Sequence, residues 1–218
     1  MERIALTTTD GMTIIGNWSA VAQPHGWALL LHMMPATKES YAALADALAA
    51  RDVASLAIDE RGHGESTGGP DGYQRFTDAE QQAKIYDVAA AMNWLIAQGA
   101  VEARIIIVGA SIGANLALQW LATHPIVPAA ALLSPGLDYR GIRTEPLAES
   151  LAPTQHIFLA AGGTDDEYST ASVHRLANIL ANRATTRLLT SAGHGTTMFE
   201  REPACFTETV GWIVRHFQ

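Results

Sequence analysis

The chain has 218 residues, 48% of them hydrophobic and 17% charged, and a formal net charge of −8. This balance excludes a disordered chain, and the acidic excess disfavours nucleic acid or an anionic membrane as a partner, since both call for a basic surface. No apolar run is long enough to span a bilayer and no Pro/Gly/Ser-rich linker interrupts the chain, so one α/β domain over residues 1–218 is expected.

Met1 to Thr7 lack the basic start and apolar stretch of a secretory signal, which makes the cytoplasm the expected location. Residues 2–8 and 12–20, joined by Asp10-Gly11, read as an antiparallel hairpin. Short apolar runs follow at Ala28 to Leu31, Val53 to Ile58, Ile105 to Val108, Ala129 to Leu133, Ile157 to Ala161 and Arg187 to Leu189. Runs without in/out alternation are the pattern of parallel strands buried on both faces. Helical stripes fall between them: Tyr41, Leu44 and Leu48; Ile85, Val88 and Met92; Val173, Leu176 and Leu180; and Phe206, Val210, Ile213 and Phe217. The second stripe belongs to one long helix with marked ends, a Thr77/Glu80 capping box before it and Gly99 after it. The expected fold is a mostly parallel sheet with an N-terminal antiparallel hairpin and helices on both faces. Reactive residues should then gather at the carboxyl ends of the strands.

Gly109-Ala110-Ser111-Ile112-Gly113 sits between the run ending at Val108 and a helix-like stretch from Ala114. A strand turning sharply into a helix presents one side chain on a strained corner, and flanking glycines leave room for it. The plainer reading of Ser111 is a helix N-cap. A serine nucleophile needs a base, an acid to orient that base, and oxyanion donors. His194, in Gly193-His194-Gly195 after the last predicted strand, is the candidate base, since imidazole titrates near neutrality. Asp166 is the candidate acid, with Asp165 and Asp138 as rivals. Cys205 is a lone cysteine without metal-type spacing and is assigned no role.

The order Ser111, Asp166, His194 is that of the α/β-hydrolases. Leu30-Leu31-His32-Met33-Met34-Pro35 matches their His-Gly-type oxyanion loop, and Asp59-Glu60-Arg61-Gly62-His63-Gly64-Glu65-Ser66 is similar to their Asp-x-Arg-Gly-His-Gly-x-Ser turn. Over nearly its whole length the chain resembles a small lidless member of that superfamily. The resemblance implies oxyanion donors at the Met33 and Ile112 amides, with Met33 standing where glycine is frequent. It also implies architectural roles for His32 and His63. About two dozen residues separate the strand ending at Leu133 from the next, too few for a cap domain or lid.

An open site follows, and with it a serine carboxylesterase acting on short- to medium-chain esters through an acyl-enzyme, with no metal or cofactor. Met34, Leu137, Tyr139, Met198 and Phe199 are the candidate substrate contacts. A small-molecule ester is the expected partner. The alternatives are a lactone, thioester or aryl-ester hydrolase of the same mechanism, or a ligand-binding protein on the same fold.

Overall fold

A computed structural model describes residues 1–218. The opening hairpin forms as Asp10-Gly11 predicts: β1 (Glu2–Thr7) and β2 (Thr13–Ser19) pair antiparallel, with Thr7 opposite Thr13 and Gly11 at φ +84° in the turn. Six more strands extend the sheet: β3 (Gly26–Leu31), β4 (Val53–Ile58), β5 (Ile105–Ala110), β6 (Ala129–Leu133) and, beyond a short hairpin of β7 (Asp138–Tyr139) and β8 (Ile142–Arg143), β9 (His156–Ala161) and β10 (Ala184–Leu188). Their order is β1-β2-β4-β3-β5-β6-β9-β10, antiparallel at β1/β2 and β2/β4 and parallel elsewhere.

Alternate residues of the central strands enter two cores. Leu29, Leu31, Ile105 and Ile107 meet Val88, Met92, Leu116 and Val173 from α3 (Ile85–Ala97), α4 (Ile112–Thr123) and α6 (Glu167–Leu180). Ala28, Leu30, Ile106 and Val108 meet Leu44 and Leu48 of α1 (Ala42–Ala49), and Val210 and Ile213 of α8 (Pro203–Arg215). Because both faces are covered, these strands read as unbroken apolar runs. No helix is long and apolar enough to cross a membrane.

Three features differ from expectation or fill what the sequence left blank. The helix predicted between Thr77 and Gly99 has its capping box and its left-handed Gly99, but it is split into α2 (Asp78–Gln82) and α3. At the break the amides of Lys84, Tyr86 and Asp87 reach back only three residues, to Gln81, Ala83 and Lys84. The tightened turn carries two buried charges, Lys84 beside Glu60 and Asp87 on Arg61. The last strand is parallel as expected, but it spans 184–188 and is not buried: it is the sheet's edge, with Thr185 and Thr186 exposed. The connection from β6 to β9 holds the β7–β8 hairpin and α5 (Thr144–Ser150), and no cap domain. Buried Asn115 on α4 anchors that hairpin, donating to the Gly136 and Ile142 carbonyls at 3.0 and 2.8 Å and accepting from the Gly136 amide at 3.1 Å.

Candidate active site

Ser111 stands between β5 and α4 at φ +55°, ψ −119°. A non-glycine residue there costs about 1–3 kcal/mol, so its surroundings must impose it. Its amide donates to the Leu133 carbonyl at 2.8 Å, tying the corner to the neighbouring strand. A Cβ on Gly113 would lie 2.5 Å from the Leu31 carbonyl oxygen and 2.7 Å from that of His32. Only glycine therefore lets α4 start against the loop that follows β3. The Ser111 side chain makes no capping bond to the helix, which removes the plainer reading of this residue.

β3 and β5 are neighbours with Leu31 opposite Gly109, so Met33 and Ser111, each two residues on, leave the sheet side by side. Neither the Met33 nor the Ile112 amide donates to a backbone carbonyl. Both N–H groups are thus free to receive an oxyanion.

His194 follows β10, and its Nδ1 lies 2.9 Å from Asp166 Oδ1. Its side chain keeps 35% of its surface exposed against 7% for Asp166, so the imidazole meets solvent while its carboxylate partner lies inside. The next residue, Gly195, packs against Met33 and Ala110, bringing the histidine loop onto the serine corner. Burial pushes the Asp166 carboxyl up, but the His194 hydrogen bond and the Ser134 and Ser169 hydroxyls facing it prevail and hold it below its ordinary value. The rival carboxylates are engaged elsewhere: Asp165 pairs with Arg201 at 3.1 Å, and Asp138 accepts from the Gly141 amide at 2.7 Å within its own turn.

Tyr139 connects the two halves. Its ring stands edge-on to His194 at 6.5 Å, and its hydroxyl lies 3.1 Å from Ser169 Oγ. The Ser111 hydroxyl closes no hydrogen bond with His194, whose Nδ1 is held by Asp166, and the Tyr139 phenol lies beside it. Other proposed contacts fare differently. Met34 and Leu137 are partly buried and pack on the core beneath α4, while Phe199 lines a cavity of about 260 Å³ with Ser40, Leu44, Thr196 and Phe206. Met198 is a correction: it is fully buried in the core under α8, because α7 (Thr197–Arg201) turns it inward and Phe199 outward. None of the cavities includes Ser111 or His194.

Ser134 was missed in the sequence. It follows β6 at φ +53°, fully buried, and its Oγ accepts from the Gly195 amide at 2.8 Å, fixing the loop that carries His194. The strand-end position that singles out the other site residues would also have found it. The Asp59–Ser66 turn is architectural, as expected. Asp59 accepts from the amides of Lys38 and Glu65 and from Lys38 Nζ at 2.8 to 2.9 Å, and Arg61 is clamped between Asp10 and Asp87.

A strained serine after the central parallel strand, a carboxylate-bound histidine at the sheet's end and two free amides beside them define an α/β-hydrolase fold and site. Residues 22–204 match the family model described as "Serine aminopeptidase, S33", and the chain belongs to this α/β-hydrolase family. The chain is similar in structure to the Pyrococcus furiosus esterase Pf2001 (TM-score 0.79, 20% identity, covering 100% of this chain and 93% of that one). It is also similar to a predicted CIB-like hydrolase from Thermoplasma acidophilum (TM-score 0.76, 19% identity, 98% of each chain). A third such structure is an esterase from a Rhodococcus species (TM-score 0.74, 18% identity, 100% of each chain). No curated protein matches the sequence significantly.

Proposed function

We propose that this chain is a cytoplasmic serine carboxylesterase that cleaves short- to medium-chain esters through an acyl-enzyme. The observation that carries the reading is the 2.9 Å contact between His194 and Asp166, on a loop packed against the serine corner. Asp166, ionised and accepting from Nδ1–H, leaves the His194 Nε2 lone pair to take the Ser111 proton. For this the Ser111 hydroxyl turns from Tyr139 toward His194 as substrate enters, a tightening common on passing from the free to the bound state. The hydroxyl oxygen attacks the ester carbonyl, the Met33 and Ile112 amides receive the oxyanion, and His194 returns the proton to the leaving alcohol. Water then repeats the sequence to release the acid. No step calls for a metal or cofactor.

The preference for shorter acyl chains rests on the lack of an enclosed cavity at Ser111 and on the small hairpin that stands in place of a lid. Fluorophosphonate labelling and a series of p-nitrophenyl esters from acetate to dodecanoate test both parts. Wild type is expected to label and to be most active on the shorter esters, and Ser111→Ala to do neither. Strong preference for dodecanoate would refute the open site, and a wild type as inert as Ser111→Ala would favour a ligand-binding role. Because the family is described by a serine aminopeptidase, aminoacyl p-nitroanilides belong in the same series. Turnover of these above the esters would move the assignment to peptide bonds.

A further inference from the structure

Tyr139 stands beside Ser111 and His194, and the proton transfers above do not use its hydroxyl. It sits on the β7–β8 hairpin, which the body of the protein holds residue by residue. The Leu137 amide donates to Ser172 Oγ at 3.1 Å, the Asp138 amide donates to the Tyr168 hydroxyl at 2.9 Å, and that hydroxyl donates back to the Asp138 carbonyl at 3.1 Å. The Tyr139 ring covers Gly136, where a Cβ would lie 2.6 Å from Cε2, and meets Tyr168 edge-on at 5.6 Å. The fold therefore fixes where the phenol oxygen stands.

The direction of its hydrogen bond follows from its neighbours. Tyr139 Oη lies 3.1 Å from Ser169 Oγ, and this pair taken alone leaves the donor open. Ser169 is fully buried and has two other polar neighbours, the Ser134 carbonyl oxygen at 3.3 Å and the ionised Asp166 carboxylate that its hydroxyl faces. Both of these only accept. The single Ser169 proton goes to one of them, so the Tyr139 hydroxyl donates to Ser169. Burial raises the phenol above its ordinary value, against the lowering by the Ser169 and Ser111 hydroxyls, and it keeps that proton at neutral pH. With its proton spent, the phenol oxygen offers only lone pairs to the site. It can receive a proton-bearing group there, and it cannot donate to the oxyanion or to the leaving oxygen.

The group it can receive changes during the reaction. In the free enzyme the Ser111 hydroxyl lies beside it. In an acyl-enzyme Ser111 Oγ carries no proton, and the water that replaces the departed alcohol brings two, one for His194 Nε2 and one in need of an acceptor. We propose that Tyr139 is a catalytic residue of the second half-reaction, its oxygen accepting from the hydrolytic water and holding that water against His194. This rests on the acyl-enzyme reading of the site. The water oxygen bonds to the acyl carbon as one proton passes to His194 Nε2 and the carbonyl electron pair moves onto the oxyanion. On collapse the bond from carbon to Ser111 Oγ breaks, Oγ takes the proton from His194, and the second water proton stays on the acid.

Tyr139→Phe keeps the ring on Gly136 and beside Tyr168 and removes only the hydroxyl. Stopped-flow release of p-nitrophenol from p-nitrophenyl acetate, with mass spectrometry of the acetylated protein, separates the two half-reactions. The burst rate is expected to stay within about twofold of wild type while hydrolysis of the acetyl-enzyme slows about tenfold, the upper end of what one neutral hydrogen bond contributes. kcat and KM then fall together and kcat/KM holds. Methanol brings one O–H and can serve His194 without a second acceptor. At a fixed methanol concentration the ratio of methyl acetate to acetate should therefore rise about tenfold in Tyr139→Phe. A purely structural loss slows both nucleophiles alike and leaves this ratio where it was.

Acetyl-enzyme hydrolysis in Tyr139→Phe within about twofold of wild type, a burst slowed as much as hydrolysis, or an unchanged methanol ratio overturns the role. If wild type turns over an acetyl-enzyme and the variant does so equally fast, this proposal alone falls. A wild type that forms no acetyl-enzyme sinks the serine-hydrolase reading, and the role of Tyr139 with it.

Discussion

Two histidine sites lie at the carboxyl end of the sheet, His194 after β10 and His32 after β3, each with a carboxylate close by, and their surroundings give them opposite properties. His194 binds Asp166 through Nδ1 only, keeps a third of its side chain in solvent and leaves its other nitrogen free. His32 spends both nitrogens on backbone groups and is sealed from water, and His63 beside it is stacked on Tyr73. Burial first, then the Lys84 charge, lowers His32 to about 4 and His63 to about 3. A proton shuttle needs a free lone pair and an ionised partner, whereas a structural strut needs neither. The difference lies in which neighbours are satisfied, not in the presence of a histidine beside an acid.

The sharpest way to break this contrast is to exchange the carboxylates. Asp166→Asn should keep the ring held but in the wrong tautomer, cutting kcat by about 10,000-fold, while Asp165→Asn, which loses only an exposed pair with Arg201, should stay within about twofold. Comparable losses in the two variants would return the acid assignment to the loop as a whole. Gly113→Ala comes next: its Cβ would press on the Leu31 and His32 carbonyls, displacing the Met33 amide from its place beside Ile112. A fall in kcat on the order of 100-fold with little change in KM is expected, and unaltered turnover would show that the loop has slack.

The smallest effect belongs to stability. His32 and His63 both have folded values depressed below the ordinary 6.5, so acidification protonates them in the unfolded chain first. Their contribution is complete above about pH 6.5 and is lost as pH falls toward about 4 for His32 and about 3 for His63. His63→Phe keeps the stack on Tyr73 and removes one proton from the balance. Urea unfolding at pH 7 and pH 5 should show a smaller drop for this variant than for wild type. Equal drops would mean that His63 titrates freely, against the contrast drawn above.

Part of the site was legible because local chemistry marked it. Gly109-Ala110-Ser111-Ile112-Gly113 after an apolar run gave the corner, and His194 between two glycines gave the loop of the proposed base. Ser134 has only its strand-end position to mark it and no motif around it, since its work is to receive the Gly195 amide 61 residues away. Met198 and Phe199 illustrate a different limit: adjacent on one short helix, one points into the core and the other to a cavity, and periodicity over five residues cannot tell them apart. The break before α3 was hidden for a similar reason. The capping box and Gly99 are local signals, while the tightened turn answers to Glu60 and Arg61 far back in the chain.

The sequence alone determined the alternation of strands and helices, the hairpin at the start and the strained serine corner, because hydrophobic period, turn chemistry and glycine placement act over a few residues. Tertiary structure alone decided that Asp166 rather than Asp165 reaches His194, and that Lys84 is an internal cation. It also decided that His32 is a strut while His194 is open to solvent. Those outcomes depend on which charged and polar groups lose their water when distant segments pack, and a buried group's partner is set by the fold as a whole.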